Sequence, residues 1–418
     1  MIKAILVAVD DGSHDDFEYL MDEMDNLISA CDMEVVARSV QTLSNPNPGT
    51  YVGKGKLAEV SELVDMLEAE YVIFAETLSP AQLKNVADAV DAVVLDRTGL
   101  ILEIFARRAG TREARLQVES ANLHYMLPRL IGMRTSLGRQ GGASGSMSNK
   151  GQGEKQLELD RRHIERKIHE LDRELEAIEH DRGVQRSARA KGHTPSVALV
   201  GYTNAGKSTL MNRLIAMSGG SDDKRVMEKD MLFATLDTTV RRIELGDNKD
   251  FLLSDTVGFV SNLPHSLVKA FRSTLDEARY ADLLLIVLDA SDPHMNEHKL
   301  VTEDTLRELG CQDVPHLYVM NKCDRLDIFP SKEFRDNDVV YISAATGLGM
   351  DELLDKIRGL IYQKNRMVDL VIPYAKGAIV GLLNDNANVI STDYLAEGTH
   401  IVADCPEWLA GKIEMELK

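Results

Sequence analysis

Apolar residues open this chain in short runs, at 2–9, 33–40, 71–75 and 92–95, separated by segments near 15–29, 55–69 and 80–88 where they recur every three or four positions. Short continuous runs read as strands buried on both faces, and the longer period reads as amphipathic helices. Their alternation predicts a parallel sheet with right-handed crossovers over residues 1–110. The pattern then changes. Leu116, Leu123, Leu127 and Leu130 share one helical face, and Leu157, Ile164, Ile168, Leu171, Leu175 and Ile178 form a second stripe in steps of three and four. The remaining positions are densely charged, so 111–182 is expected to be an antiparallel helical hairpin, solvated on most sides. Its connector, 138–153, is mostly Gly, Ser and polar residues and is expected to be a tip loop without a core. Residues 183–195, ending at Pro195, read as a linker. Apolar runs return at 197–200, 251–253, 317–320 and 339–342, which predicts a second α/β domain over 196–365. Residues 366–418 show β-like runs at 368–374, 388–394 and 399–404 around a short helix and read as a small C-terminal α/β domain.

The second α/β domain carries the chemistry. Gly201-Tyr202-Thr203-Asn204-Ala205-Gly206-Lys207-Ser208-Thr209 fits the phosphate-binding loop pattern and lies between a β-like run and a helical one. Glycines let the backbone close around phosphate oxygens, and successive N–H groups with a helix N-terminus attract the anion. Lys207 can reach the outer phosphates, and the Ser208 hydroxyl can bind magnesium. Asp255-Thr256-Val257-Gly258 follows 250–254; Asp255 is the candidate for holding magnesium through water, and the Gly258 N–H for meeting the γ-phosphate. Asn321-Lys322-Cys323-Asp324 follows 317–320. A carboxylate at Asp324 can accept from the guanine N1–H and N2 amine, a donor pair adenine lacks, so the motif selects guanine. Ser343-Ala344-Ala345 follows 339–342 and can offer an N–H to guanine O6. Four motifs in order, each after a β-like run, obey the rule that ligands bind at the carboxyl ends of strands in open α/β sheets. Together they resemble the translation-factor class of GTPases.

Between the first two motifs, Phe233-Ala234-Thr235-Leu236-Asp237 is the candidate first switch, with Thr235 preferred as magnesium ligand over Thr238 and Thr239. Phe259 follows Gly258, where Ras-like GTPases carry a glutamine that orients the attacking water. Phenylalanine cannot hydrogen-bond water, so unaided hydrolysis is expected to be slow and a macromolecular partner is expected to complete the site. Asn204 is a candidate potassium ligand beside the phosphates, where the cation would replace an arginine finger; loop stabilisation is the competing role.

Length and charge set the surroundings. A chain of 418 residues exceeds one core and suits about three domains. There is no apolar run of about 18 residues, so no membrane span is expected. The start lacks a basic leader and a cleavage site, and Cys31, Cys311, Cys323 and Cys405 are scattered, which fits reduced thiols in a cytoplasm. A net charge of −19 argues against general nucleic-acid binding and against DNA. The charge is uneven, however. Between Arg107 and Lys150 eight basic residues face two acids, so this stretch can be steered onto phosphates while the rest is repelled. Arg134, Arg139 and Lys150, at the tip of the hairpin, are the candidate RNA contacts.

Particular residues extend the reading to a family. Tyr51-Val52-Gly53-Lys54-Gly55-Lys56, the run from Leu95 through Ala109, Leu116-Gln117-Val118-Glu119, Leu127-Pro128-Arg129-Leu130, Gly201 to Leu210 and Phe233 to Asp237 resemble the HflX family over nearly the whole chain. The apolar Phe259 suits that family too. The tip, Gly141 to Leu157, departs from the family's Gly-Gly-Gly-Ile-Gly-Thr-Arg-Gly-Pro-Gly-Glu-Thr-Gln-Leu pattern, and Asp237 lacks the usual following proline. The resemblance implies a GTPase that binds the large (50S) ribosomal subunit and its rRNA, dissociates stalled or stressed 70S ribosomes and is stimulated by them. The hairpin would then reach toward the peptidyl-transferase region. The expected set is GTP and GDP, magnesium, potassium as a second cation, the 50S subunit, no membrane and no second copy of the chain. Two alternatives stand beside it: a GTP-gated regulator of a protein partner, and a potassium-activated GTPase serving ribosome assembly or RNA modification.

Overall fold

A computed structural model describes residues 2–12, 16–139, 147–191, 194–219, 233, 239–244, 249–256, 258–260, 272–326, 337–363 and 365–417, and side chains within these except at 131–139, 147–157, 185–191 and 272–275. They form two compact units. The first is built on residues 1–185 and includes Phe233; the second holds the phosphate-loop sheet and runs to the C-terminal end.

The first unit opens with a parallel sheet of order β2-β1-β3-β4, from β1 (Ile2–Asp10), β2 (Met33–Thr42), β3 (Tyr71–Phe74) and β4 (Val93–Leu95). β1 is central and buried through Ala4–Val9, as its unbroken apolar run requires. Helices α1 (Phe17–Ser29), α2 (Lys54–Leu67), α3 (Pro80–Ala87) and α4 (Arg97–Arg108) join and follow the strands. Their starts are written locally. The Asp16 carboxylate accepts from Tyr19 N, Ser79 and Gln82 form a capping box before Pro80, and the Asp96 carboxylate accepts from Gly99 N.

Two long helices follow, α5 (Arg112–Arg139) and α6 (Met147–Lys191). The start of α5 pairs with a later part of α6, Arg112 with Glu174 and Glu113 with Arg182, and its next turns pair with an earlier part, Glu119 with Lys167 and Ser120 with Asp172. That is an antiparallel arrangement. The buried face of α5 differs from the expected leucine stripe. Ala114, Gln117, Val118 and Ala121 are buried, while Leu116, Leu123, Leu127 and Leu130, on the opposite side of the helix, are half-buried. On α6 the expected stripe is the sheltered one, with Ile168 and Leu171 buried. Both expected connectors are shorter than their composition implies. Helix covers 138–139 and 147–153 of the expected tip and 183–191 of the expected linker. Once a long helix is nucleated, adding a residue costs little, so Gln, Arg, Ala and Lys in Gln185–Lys191 extend it despite Gly183. Residues 140–146 lie outside the described residues.

The second unit carries a six-stranded sheet of order β10-β9-β8-β5-β7-β6. Its strands are β5 (Ser196–Gly201), β6 (Thr239–Ile243), β7 (Phe251–Asp255), β8 (Leu283–Asp289), β9 (His316–Asn321) and β10 (Val339–Tyr341). Only β6 is antiparallel to its neighbour. The associated helices are α7 (Lys207–Met217), α8 (Arg272–Arg279), α9 (Met295–Glu308) and α10 (Met350–Ile361). The core unites Leu199, Leu214, Leu253, Val287, Val319 and Leu353. A three-stranded antiparallel sheet, β11 (Asn365–Ile372), β13 (Gly398–Pro406) and β12 (Asn388–Leu395), packs with α11 (Ala378–Asn386) and α12 (Glu407–Leu417) around Leu383, Ile401, Leu409 and Ile413. Among the described residues no helix is long and apolar enough to cross a membrane.

Candidate nucleotide site

Because β5, β7, β8, β9 and β10 are parallel, the residues that end them meet at one edge of the sheet. Gly201 ends β5, Asp255 ends β7, Asp289 ends β8, Asn321 ends β9, and Ser343 lies just past β10. The four motifs separated along the sequence are thereby brought together.

Two glycines are required by geometry. Gly201 has φ +145°, and a Cβ there would sit 2.2 Å from the Val287 carbonyl oxygen. Gly206 has φ +91°, and a Cβ there would sit 2.2 Å from Asn321 Nδ2. The loop between them opens directly into α7, so its N–H groups and the helix N-terminus share one anion-attracting mouth. Thr203 and Ala205 are buried, whereas Asn204 is exposed at φ +60°. Thr209 is half-buried in the first turn of α7.

Lys207 is only 7% exposed, and its Nζ donates to Gly201 O at 3.0 Å and Tyr202 O at 2.8 Å. Burial pushes its ammonium down to about 8, against the opposing charge of Asp255. A buried cation facing carbonyl oxygens is a prepared partner for a phosphate. Ser208 Oγ donates to Asp255 Oδ2 at 2.9 Å. These are hard oxygen donors, the class magnesium takes when substrate phosphates complete its shell, so the pair fits that ion. Next to Asp255, the buried Thr256 donates to Leu199 O at 2.6 Å and fixes the strand end.

The second switch is tied to the phosphate loop by the main chain. Thr203 N donates to Phe259 O at 2.7 Å, and Phe259 N to Gly201 O at 3.1 Å. A Cβ on Gly258 would come within 2.8 Å of Thr203 Cγ2 and 3.0 Å of Lys207 Nζ, so this glycine sits against the loop. Phe259 is buried, its ring withdrawn from solvent. Val257 lies outside the described residues, as do Ala234, Thr235, Leu236 and Asp237. Phe233 is described in the first unit, edge-on to Phe105 of α4 with ring centroids 4.7 Å apart.

The base-recognition loops are joined through Asn321. Its Nδ2 donates to Ala205 O at 2.9 Å, and its Oδ1 accepts from Ala344 N at 3.0 Å. One amide thus couples the phosphate loop to Ser343-Ala344-Ala345, while Ser343 N donates to Leu348 O at 2.9 Å. Asp324 sits exposed on a short 3-10 turn, Cys323–Arg325. Two residues that motif spacing did not reveal complete the frame. Asp289 pairs with Lys322 Nζ at 2.7 Å and accepts from Ser291. Burial alone would raise its carboxyl, but Lys322 and Ser291 hold it below the usual range. That pair anchors Lys322 in a left-handed conformation at φ +62°. Arg213 of α7 donates to the Ala344 and Ala345 carbonyls. Asp289 carried a detectable signal, since it ends an apolar run as Asp255 and Asn321 do; Arg213 had none. Arg134 and Arg139 lie on α5 and Lys150 on α6, and their side chains are outside the description.

This arrangement meets three family models end to end: a GTP-binding GTPase N-terminal region over residues 18–106, a GTP-binding GTPase middle region over 108–189, and a 50S ribosome-binding GTPase over 196–322. The GTPase HflX of Lacrimispora saccharolytica is 41% identical over 408 residues, covering 97% of this chain and 94% of its own. This chain belongs to the HflX family of GTPases. The GTPase HflX of Caldanaerobacter subterraneus is 42% identical over 402 residues, covering 96% and 90%, and that of Escherichia coli is 42% identical over 359 residues, covering 85% and 82%. A crystal structure of a GTP-binding protein from Sulfolobus solfataricus in complex with GDP aligns over 87% of this chain and 99% of its own, at 27% identity and a TM-score of 0.46. As an HflX GTPase, the protein binds GTP and hydrolyses it to GDP and phosphate.

Proposed function

We propose that this HflX GTPase binds the 50S ribosomal subunit and dissociates stalled or stressed 70S ribosomes, its hydrolysis being stimulated by the ribosome. The observation that carries the reading is the match of residues 196–322 to a 50S ribosome-binding GTPase, on a chain whose basic residues concentrate between Arg107 and Lys150. The long α5–α6 hairpin, 111–182, is the probe in this reading, with Arg134, Arg139 and Lys150 meeting rRNA phosphates.

In the site, the loop N–H groups and Lys207 bind the phosphates, and Asp324 with the Ser343-Ala344-Ala345 loop reads guanine. Ser208 and Asp255, with Thr235 from the first switch, would hold magnesium. The chemistry magnesium supplies when bound is neutralisation of charge on the β- and γ-phosphate oxygens. The Gly258 N–H orients toward the γ-phosphate and couples its presence to the second switch. Asn204, exposed in the loop, is the proposed potassium ligand. The side chain of Phe259 cannot orient water, so the ribosome supplies that function.

GTP turnover with and without purified 50S subunits tests the proposal. A large stimulation is expected, and equal rates with GTP still bound would refute ribosome activation. Turnover in potassium against sodium tests Asn204. Asp324→Asn is expected to shift preference from guanine toward xanthine nucleotides, and an unchanged preference would refute its role.

A further inference from the structure

Tyr202, the second residue of the phosphate loop, carries more contacts than a loop position needs. Its ring is buried and lies flat on the ring of His298 in α9, centroids 3.8 Å apart and planes 10° from parallel. Its carbonyl accepts from Lys207 Nζ. Its neighbours on both sides bond to Phe259 across the parallel bridge. Tyr202 is therefore a junction: the ring is fixed from behind the loop, and the backbone is fixed to the second switch in front.

His298 is itself held firmly. It is 5% exposed, its N–H donates to His294 O at 3.1 Å, its carbonyl accepts from Thr302 Oγ1 at 2.7 Å, and its Nδ1 lies 3.7 Å from Asp292 Oδ2. A stack between two buried rings in a close-packed interior leaves the loop backbone little freedom. We propose that His298 is a positioning residue for GTP hydrolysis: through the Tyr202 ring it sets the backbone ladder that places Gly258 and Phe259 against the γ-phosphate. In a GTPase with no glutamine at position 259, the placement of that backbone is the part of the second switch the chain itself controls. This inference rests on assigning the phosphate loop and Gly258 to the nucleotide.

The test uses the full-length protein, with steady-state GTP hydrolysis and GDP binding by calorimetry. His298→Ala is expected to lower kcat about tenfold, as a small misplacement of reacting groups can, while KM and GDP affinity change less than twofold. GDP lacks the γ-phosphate that Gly258 and Phe259 would face, so displacing that backbone ladder should affect its binding least. His298→Phe keeps the stack and should restore kcat to within about twofold of the parent. Tyr202→Leu fills the space without stacking and should reproduce the Ala defect. An unchanged kcat in folded His298→Ala, equal losses of kcat and GDP affinity, or a folded His298→Phe as impaired as the alanine variant would each overturn the proposal. Should Lys207→Ala retain GDP binding, the site assignment would fall instead, and the two failures are told apart.

Discussion

Each unit of this protein buries a charged cluster, and the two are finished in opposite ways. In the first unit, Asp96 is fully buried and accepts from Leu78 N at 3.0 Å, Gly99 N at 2.8 Å, Tyr125 OH at 2.6 Å and Arg129 Nη2 at 2.8 Å. The Arg129 guanidinium lies 3.2 Å over the Tyr125 ring, and next to Asp96 the buried Arg97 pairs with Glu23 at 2.5 Å. Every charge there meets its opposite within the chain. In the second unit Lys207 meets two carbonyl oxygens, and burial depresses its proton affinity. The first cluster is a lock that fastens α5 to the junction of β4 and α4. The second is a socket, whose cation is best satisfied by an anion from outside. Burial of charge alone does not separate structure from function; whether the chain itself completes the neutralisation does.

The strongest way to break this contrast is to open the lock. Asp96→Ala leaves Arg129 buried without its carboxylate, which is expected to cost about 3–5 kcal/mol of stability. Urea unfolding would show it, with GDP affinity of the remaining folded protein unchanged. A small loss would mean that Arg129 finds water or another acceptor and that the cluster is no lock. Lys207→Ala should do the reverse. Nucleotide affinity should fall about 100-fold or more, since charge-assisted hydrogen bonds to phosphate disappear. The melting temperature without nucleotide should hold or rise, because a desolvated ammonium is removed. A drop of several degrees would show that Lys207 serves the fold as well.

How much of this was legible in the sequence depended on what kind of constraint each residue obeys. Gly201, Gly206, Lys207, Ser208, Asp255, Asn321 and Ser343 were legible because phosphate, metal and base chemistry demand fixed residue types at short spacing after a strand. The alternation of strands and helices in residues 1–110 was legible because short continuous apolar runs and a period of 3.6 are local properties. Residues that act through tertiary packing were not. Arg213 reaches Ala344 and Ala345 from more than a hundred positions away, and His298 meets Tyr202 only because α9 packs behind β5. Composition misled at the hairpin ends, where Gly and Ser signalled loop although an existing helix could propagate through 147–153. On α5 the leucine spacing gave the helix correctly, but the deeper burial of Ala114 and Ala121 on its other side depends on tertiary packing and had no local signal.

Between lock and socket stands Asp289–Lys322, a pair formed within the chain but at the edge of the nucleotide site. Asp289→Asn removes the counter-charge that holds Lys322 at φ +62°. A non-glycine residue there is strained, so the guanine loop should relax away from its bound form. Affinity for GDP is expected to fall about tenfold, the scale of one charged hydrogen bond, with little change in melting temperature. If stability falls and affinity does not, the pair belongs with the lock.

The socket reading is sharpened by protons. The folded value for Lys207 is about 8, below its usual 10.5. Below pH 8 the lysine is charged both folded and unfolded, and the cost of burying that charge is present in full. As pH rises from 8 to 10.5 the folded protein releases a proton that the unfolded chain keeps, so this group's contribution to stability rises with pH. Phosphate binding acts in the opposite sense. An anion against Nζ favours the ammonium, so nucleotide binding above pH 8 must take up a proton, and affinity must fall as pH rises. Between pH 7.5 and 8.5 GDP affinity is expected to weaken about threefold. Calorimetry in two buffers of different ionisation enthalpy at pH 8.5 should show proton uptake on GDP binding. Asp255→Asn removes the charge that supports the ammonium, so the onset of the decline should move to lower pH. No uptake, with a flat affinity, would mean that Lys207 is already neutralised by the chain, and the socket would then be finished in the same way as the lock.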